Sequence, residues 1–228
     1  MSLARLNSIT DSSPAFLKTG QGLFQGGAIT LDSGNSDSGS SPTSLMRAGN
    51  VVVLKTGSGT YVEANDAAGD RCTAPSITTS GHSDGNGVIA VSLKGGAVIS
   101  VTTSTGSGTE ANHATDLNAD AVFKARFVAS SAGGELTITA RETGADVYFH
   151  VDASTIAGVG FAEGEANAAS GTDADYRVTM SPSSLVDSAG TAANNDAESA
   201  LSGHFDWGQL INLTKEAKAV LVRRGSPA

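Results

Sequence analysis

Apolar residues in this chain gather into short, β-branched runs separated by glycine-rich loops. Val51-Val52-Val53-Leu54-Lys55-Thr56 and Thr60-Tyr61-Val62-Glu63 flank Gly57-Ser58-Gly59. Two strand-forming runs around so short a loop predict a hairpin. A second hairpin is predicted by Val88-Ile89-Ala90-Val91-Ser92-Leu93 and Ala97-Val98-Ile99-Ser100-Val101-Thr102, joined by Lys94-Gly95-Gly96. The period then changes. Over 109–122, Ala111, Ala114, Leu117 and Ala121 recur three or four apart behind a capping Thr109, which predicts a short amphipathic helix. Strands are predicted next at 124–128, 135–140 and 146–151. Residues 74–171 thus read as one compact α+β unit.

Residues 161–176 read as a Gly/Ala/Asn-rich loop, and 185–202 as a polar stretch with little pattern. The chain closes on a helix with Leu213, Ala217, Val220 and Leu221 on one face. Arg223 and Arg224 sit where the helix dipole favours cations, and Gly225 and Pro227 supply the stop. At the other end, residues 1–43 lack sustained periodicity and read as an extended arm. Its stretch 32–41 is polar and of low complexity, and cannot bury enough apolar area to offset its own ordering entropy. Yet the arm also carries Phe16, Leu17, Leu23, Phe24 and Ile29. These suit anchors on a partner surface; the alternative is a flexible tail.

Composition narrows the class. Aromatics are only 5% of the 228 residues, so the core must rest on Val, Ile, Leu and Ala. A formal net charge of −9 argues against a general nucleic-acid binder, which needs a basic face. No stretch approaches the ~20 apolar residues of a membrane span. The N-terminus lacks the apolar core of a signal peptide, so synthesis in the cytoplasm is expected. Cys72 is the only cysteine, which excludes an intrachain disulfide and reads as a small semi-buried residue.

Candidate chemistry is sparse. His82, His113, His150 and His204 show no metal-ligand spacing. Asp84-Gly85-Asn86-Gly87 lacks the downstream Glu of a calcium loop and reads as a turn. Gly20-Gln21-Gly22 and Gly158-Val159-Gly160 complete no phosphate-binding fingerprint. No nucleophile elbow is present. The expectation is a non-enzymatic protein with no cofactor and no metal.

Two stretches resemble phage structural proteins. Leu45-Met46-Arg47-Ala48-Gly49-Asn50-Val51-Val52-Val53-Leu54, followed by Gly59-Thr60-Tyr61-Val62, is similar to the opening of the lambda-type head decoration family, a small β-barrel called a β-tulip. Leu201-Ser202-Gly203-His204-Phe205-Asp206-Trp207-Gly208-Gln209-Leu210, with the terminal helix ending at Arg224-Gly225, is similar to that family's closing pattern. Between them, Thr115-Asp116-Leu117-Asn118-Ala119-Asp120, Gly134-Glu135-Leu136-Thr137-Ile138-Thr139-Ala140 and Gly158-Val159-Gly160-Phe161 resemble flagellin-insert-like modules.

The resemblance implies a mainly β fold with some α: a small barrel from 44–73 and 172–228, an inserted α+β domain at 74–171, and the N-terminal arm at 1–43. It also implies a decoration, or cement, protein on the outer capsid surface of a tailed phage. The expected partners are the major capsid protein and further copies of the chain as a homotrimer. Nucleic acid and membrane are not expected as partners. The alternative is an interaction or adhesion protein of a phage tail, flagellum or cell surface. A carbohydrate-active virion enzyme ranks last, because no nucleophile, base or metal can be named for it.

Overall fold

The computed structural model describes residues 25–36, 44–79, 85–152 and 168–226. In chain order the strands are β1 (Gln25–Leu31), β2 (Leu45–Met46), β3 (Val51–Leu54), β4 (Thr60–Glu63), β5 (Ser76–Thr78), β6 (Gly87–Leu93) and β7 (Ile99–Thr103). Two helices follow, α1 (Glu110–Ala119) and α2 (Ala121–Arg126). Then come β8 (Phe127–Ala132), β9 (Glu135–Ala140), β10 (Tyr148–Asp152), β11 (Ala168–Ser170), β12 (Tyr176–Thr179), β13 (Ser183–Ser184), β14 (Asn195–Ser202) and α3 (Lys215–Arg223). The fold is mainly β with a few helices. It divides into two compact units, one running up to Asp70 and resuming at Ala174, the other spanning Arg71–Asp173. The sequence division lies at 73/74 and 171/172. No helix among the described residues is long and apolar enough to cross a membrane.

The first unit is a closed barrel in the order β1-β14-β12-β3-β4, sealed by a parallel contact between β4 and β1. The valines at 51, 52 and 53 are all buried, so both faces of β3 are covered. Ile29, Leu31, Met46, Val52, Tyr61 and Leu185 belong to one apolar cluster. Helix α3 packs on β12 and β14 and buries Ala217, Val220 and Leu221. Thr214 caps its start, and Gly225, at φ 98°, takes the left-handed conformation that ends it.

Three readings of the sequence are corrected in this unit. Residues 25–36 are not arm, because Gln25–Leu31 pairs antiparallel with Asn195–Ser202 along its whole length. The arm boundary therefore moves from residue 43 to before Gln25. Ile29 is a barrel residue, 6% exposed, and its register partner is Ala197 of the same chain. The stretch 185–202 is not patternless: it holds β14, the longest strand among the described residues. Asn, Asp, Ala, Glu and Ser are poor strand formers, and pairing on both sides overrides their local preference. Close backbone approach to β14 explains the glycine at 26. A Cβ on Gly26 would lie 2.0 Å from the Ser199 carbonyl oxygen.

The second unit has two antiparallel sheets, β11-β10-β6-β7 and β5-β9-β8. Helix α1 packs against β7, β8 and β9, and α2 against β7 and β8. The core is aliphatic around one aromatic chain, with Phe123–Phe127 centroids 5.3 Å apart and Phe127–Phe149 centroids 5.2 Å apart. Thr109 caps α1 through a reciprocal box with Asn112. The sequence reading placed a strand at 124–128; instead residues up to Arg126 are helical. Asp120 accepts from the Val122 and Phe123 N–H groups and so starts a second helix, which Ala121, Lys124 and Ala125 favour. The unit's ends meet at an antiparallel bridge between Thr73 and Thr172.

Candidate interaction surfaces

Phe16, Leu17, Leu23 and Phe24 lie outside the described residues. Of the five anchors read from the sequence, only Ile29 can be placed, and it faces the barrel's own core.

The barrel seam is short. β1 meets β4 at only two register pairs, Thr30 with Thr60 and Leu31 with Tyr61. Beyond them the chain turns, and side chains continue the pairing. Asn35 Nδ2 donates to the Tyr61 carbonyl at 2.9 Å, and Asn35 Oδ1 accepts from the Glu63 N–H at 3.0 Å. The Lys55 ammonium bridges to Asp32 at 2.7 Å beside them. Asn212, in the left-handed conformation, donates to the Ser36 carbonyl and to Asn50 Oδ1, both at 3.0 Å. Under this seam lies the Glu63 carboxyl, 7% exposed, whose Oε2 has no hydrogen-bond partner among the described residues. Burial pushes its pKa up. The N–H groups of Glu63 itself and Ser36 oppose the shift, while the charges of Asp66 and Asp32 add to it.

The opposite wall carries a charged latch. Asp175 accepts a two-pronged pair of hydrogen bonds from Arg177, both 2.9 Å, and a further one from the Tyr61 hydroxyl. Arg224, just past α3, reaches Asp175 at 3.3 Å and the Tyr176 carbonyl at 3.0 Å. Burial alone would raise the Asp175 pKa, but the Arg177 and Tyr61 hydrogen bonds and the charges of Arg177 and Arg224 hold it below the usual carboxylate value. The Tyr61 phenol is pushed up to about 12 by burial and by its bond to Asp175. The latch fixes the terminal helix to β12.

In the second unit, a groove of about 300 Å3 runs beside the start of β7, lined by Ala97, Val98, Ile99, Ser100, Asp120, Val122 and Arg126. Val98 and Val122 are 55% and 58% exposed, the most exposed large apolar side chains among the described residues. The sequence pattern places Val98 within a strand and does not single out Val122. The available signal was that Val122 falls off the Ala111-Ala114-Leu117-Ala121 face and so has no core position to fill. Among the described residues no group of three or more His, Cys, Asp or Glu side chains is arranged to hold a metal ion. His113 is buried, with Nε2 2.8 Å from the Gly85 carbonyl oxygen.

No family model matches the chain, and no curated protein matches it. Among solved structures it is similar to the flagellar cap protein FliD of Escherichia coli, domains D1-D2-D3, at 15% identity and a TM-score of 0.38. The similarity covers 86% of this chain and 60% of that one.

Proposed function

We propose that this chain is a structural virion protein that binds the outer surface of a tailed-phage capsid and stabilises the shell. One observation carries the reading. The two stretches that resemble the decoration family lie far apart in sequence, yet they belong to one small barrel, and Ile211, the residue that follows the second stretch, bonds to the first through the main chain. The Val51 N–H donates to the Ile211 carbonyl at 2.9 Å, and the Ile211 N–H donates to the Gly49 carbonyl at 2.9 Å. Arg47-Ala48-Gly49-Asn50-Val51 and the segment after Trp207 are therefore neighbours, which supports reading them as parts of one pattern. The surrounding chemistry suits the role: a closed barrel, a latched terminal helix, and an N-terminal segment rich in apolar residues ahead of β1. Many copies on a symmetric shell multiply modest single contacts.

The second reading, a tail, flagellar or cell-surface interaction protein, rests on the flagellin-insert-like resemblance within 74–171. Imaging purified protein added to bare, expanded capsids separates the two. The proposal expects discrete projections at the local three-fold positions of the shell. Bare shells, or decoration confined to tubes or tips, would sink it.

A further inference from the structure

The open edge of β7 has the chemistry of a self-pairing site. Among the described residues β7 hydrogen bonds to β6 on one side only, and its other edge ends the sheet. From Ala97 to Thr103 it carries no charged residue and no proline, the two devices that usually block edge-to-edge pairing. Beside this edge lies the groove with Val98 and Val122 exposed at its rim. Its polar members have opposite sign. Arg126 is exposed, and its guanidinium makes no hydrogen bond or ion pair among the described residues. Asp120 caps α2 through Oδ1 alone.

We propose that this edge pairs with the same edge of a second copy, β7 antiparallel to β7 about a two-fold axis. A two-fold contact brings each surface onto itself, so it requires self-complementarity. An uncharged strand offers nothing to repel its copy. Valines at the rim meet valines, and an acid and a base on one groove wall meet the base and acid of the mate. Pairing extends the four-stranded sheet across the axis and covers Val98 and Val122. A five-residue strand pair is small beside the ~1,200–2,000 Å2 of a stable complex. The contact therefore forms at high local concentration, the condition of a protein displayed in many copies. It does not depend on which shell or filament displays the protein.

The test is sedimentation of the full chain over a concentration series, with Val98→Lys and Arg126→Glu. Both positions are exposed, and hydrogen exchange of the β6 amides checks that each variant stays folded. The expected result is reversible association that Val98→Lys weakens by roughly tenfold or more and Arg126→Glu weakens in the same direction. The high-concentration mass of Val98→Lys should be half that of the wild type or less, whatever oligomer the barrel forms. Cysteines placed singly at 98, 100 and 102 should give at least one rapid intermolecular disulfide, faster than a control cysteine at exposed Thr78. Association unchanged by both variants, or no association at any concentration, overturns the proposal. So does association lost on removing residues 1–24 and kept in Val98→Lys, which would assign the contact to the N-terminal segment.

Discussion

The side-chain amide of Asn35 pairs with the backbone of Glu63 as a neighbouring strand would, its Oδ1 accepting the Glu63 N–H at 3.0 Å. Because β1 leaves β4 after two register pairs, this bond and its companion to the Tyr61 carbonyl extend the seam. Both atoms of the amide are used. Asn35→Ala leaves a buried N–H without its acceptor and should destabilise the barrel by about 1–3 kcal/mol. Asn35→Asp keeps the acceptor but loses the donor and adds a negative charge near Asp32 and Glu63, so it should cost more than Ala. Chemical denaturation of both variants checks the order.

Glu63 makes the seam pH-sensitive. Its folded pKa lies above the ordinary value of 4.5, so the folded state favours the protonated acid. The stability this contributes is fully present below pH 4.5 and is lost as the pH rises through the folded value. Glu63→Gln should remove this loss and so gain on the wild type as the pH rises. Thermal unfolding of the pair across mildly acidic to neutral pH measures it; parallel curves would show that Glu63 does not titrate with unfolding.

The Asp175 latch has the opposite sign. Its folded pKa lies below the ordinary 3.8, so its stabilisation is present above that value and lost as the pH falls through the folded one. Asp175→Asn keeps the shape but weakens bonds to two guanidinium groups, and should cost about 2 kcal/mol at neutral pH. The variant should also lose less stability than the wild type on acidification. Arg224→Ala should raise hydrogen exchange in α3 while leaving β6 unchanged.

Truncation separates the N-terminal segment from the barrel. Removing residues 1–24 should leave the unfolding transition nearly unchanged. Removing residues 1–31 takes away β1 and opens the barrel along β14 and β4, so it should abolish cooperative unfolding of the first unit. Circular dichroism melts of the two truncations give the answer directly.

The hairpins β3–β4 and β6–β7, helix α1 and helix α3 were legible because each combines an apolar period with its own turn or cap. The misses in the barrel share a cause. β1 is Gln-Gly-Gly-Ala-Ile-Thr-Leu and β14 is Asn-Asp-Ala-Glu-Ser-Ala-Leu-Ser, and neither run favours a strand by itself. Each exists because the other is there, and pairing between segments so far apart leaves no local signal. Ile29 was misassigned for the same reason: an apolar residue among glycines looks like an anchor until its partner strand is known. The seam and the latch were illegible because Asn35, Asp175 and Arg224 acquire their roles only through distant partners. The β7 groove was half visible, in an uncharged strand and a valine off the helix face.

Rupture of empty, expanded capsids as the temperature is raised, with and without the purified protein, tests the central claim most directly. The account predicts that saturating protein raises the rupture temperature and that the gain levels off at a fixed ratio of protein to capsid subunit. The form lacking residues 1–24 should give little or none of it. An unchanged rupture temperature at saturating protein would contradict a cementing role.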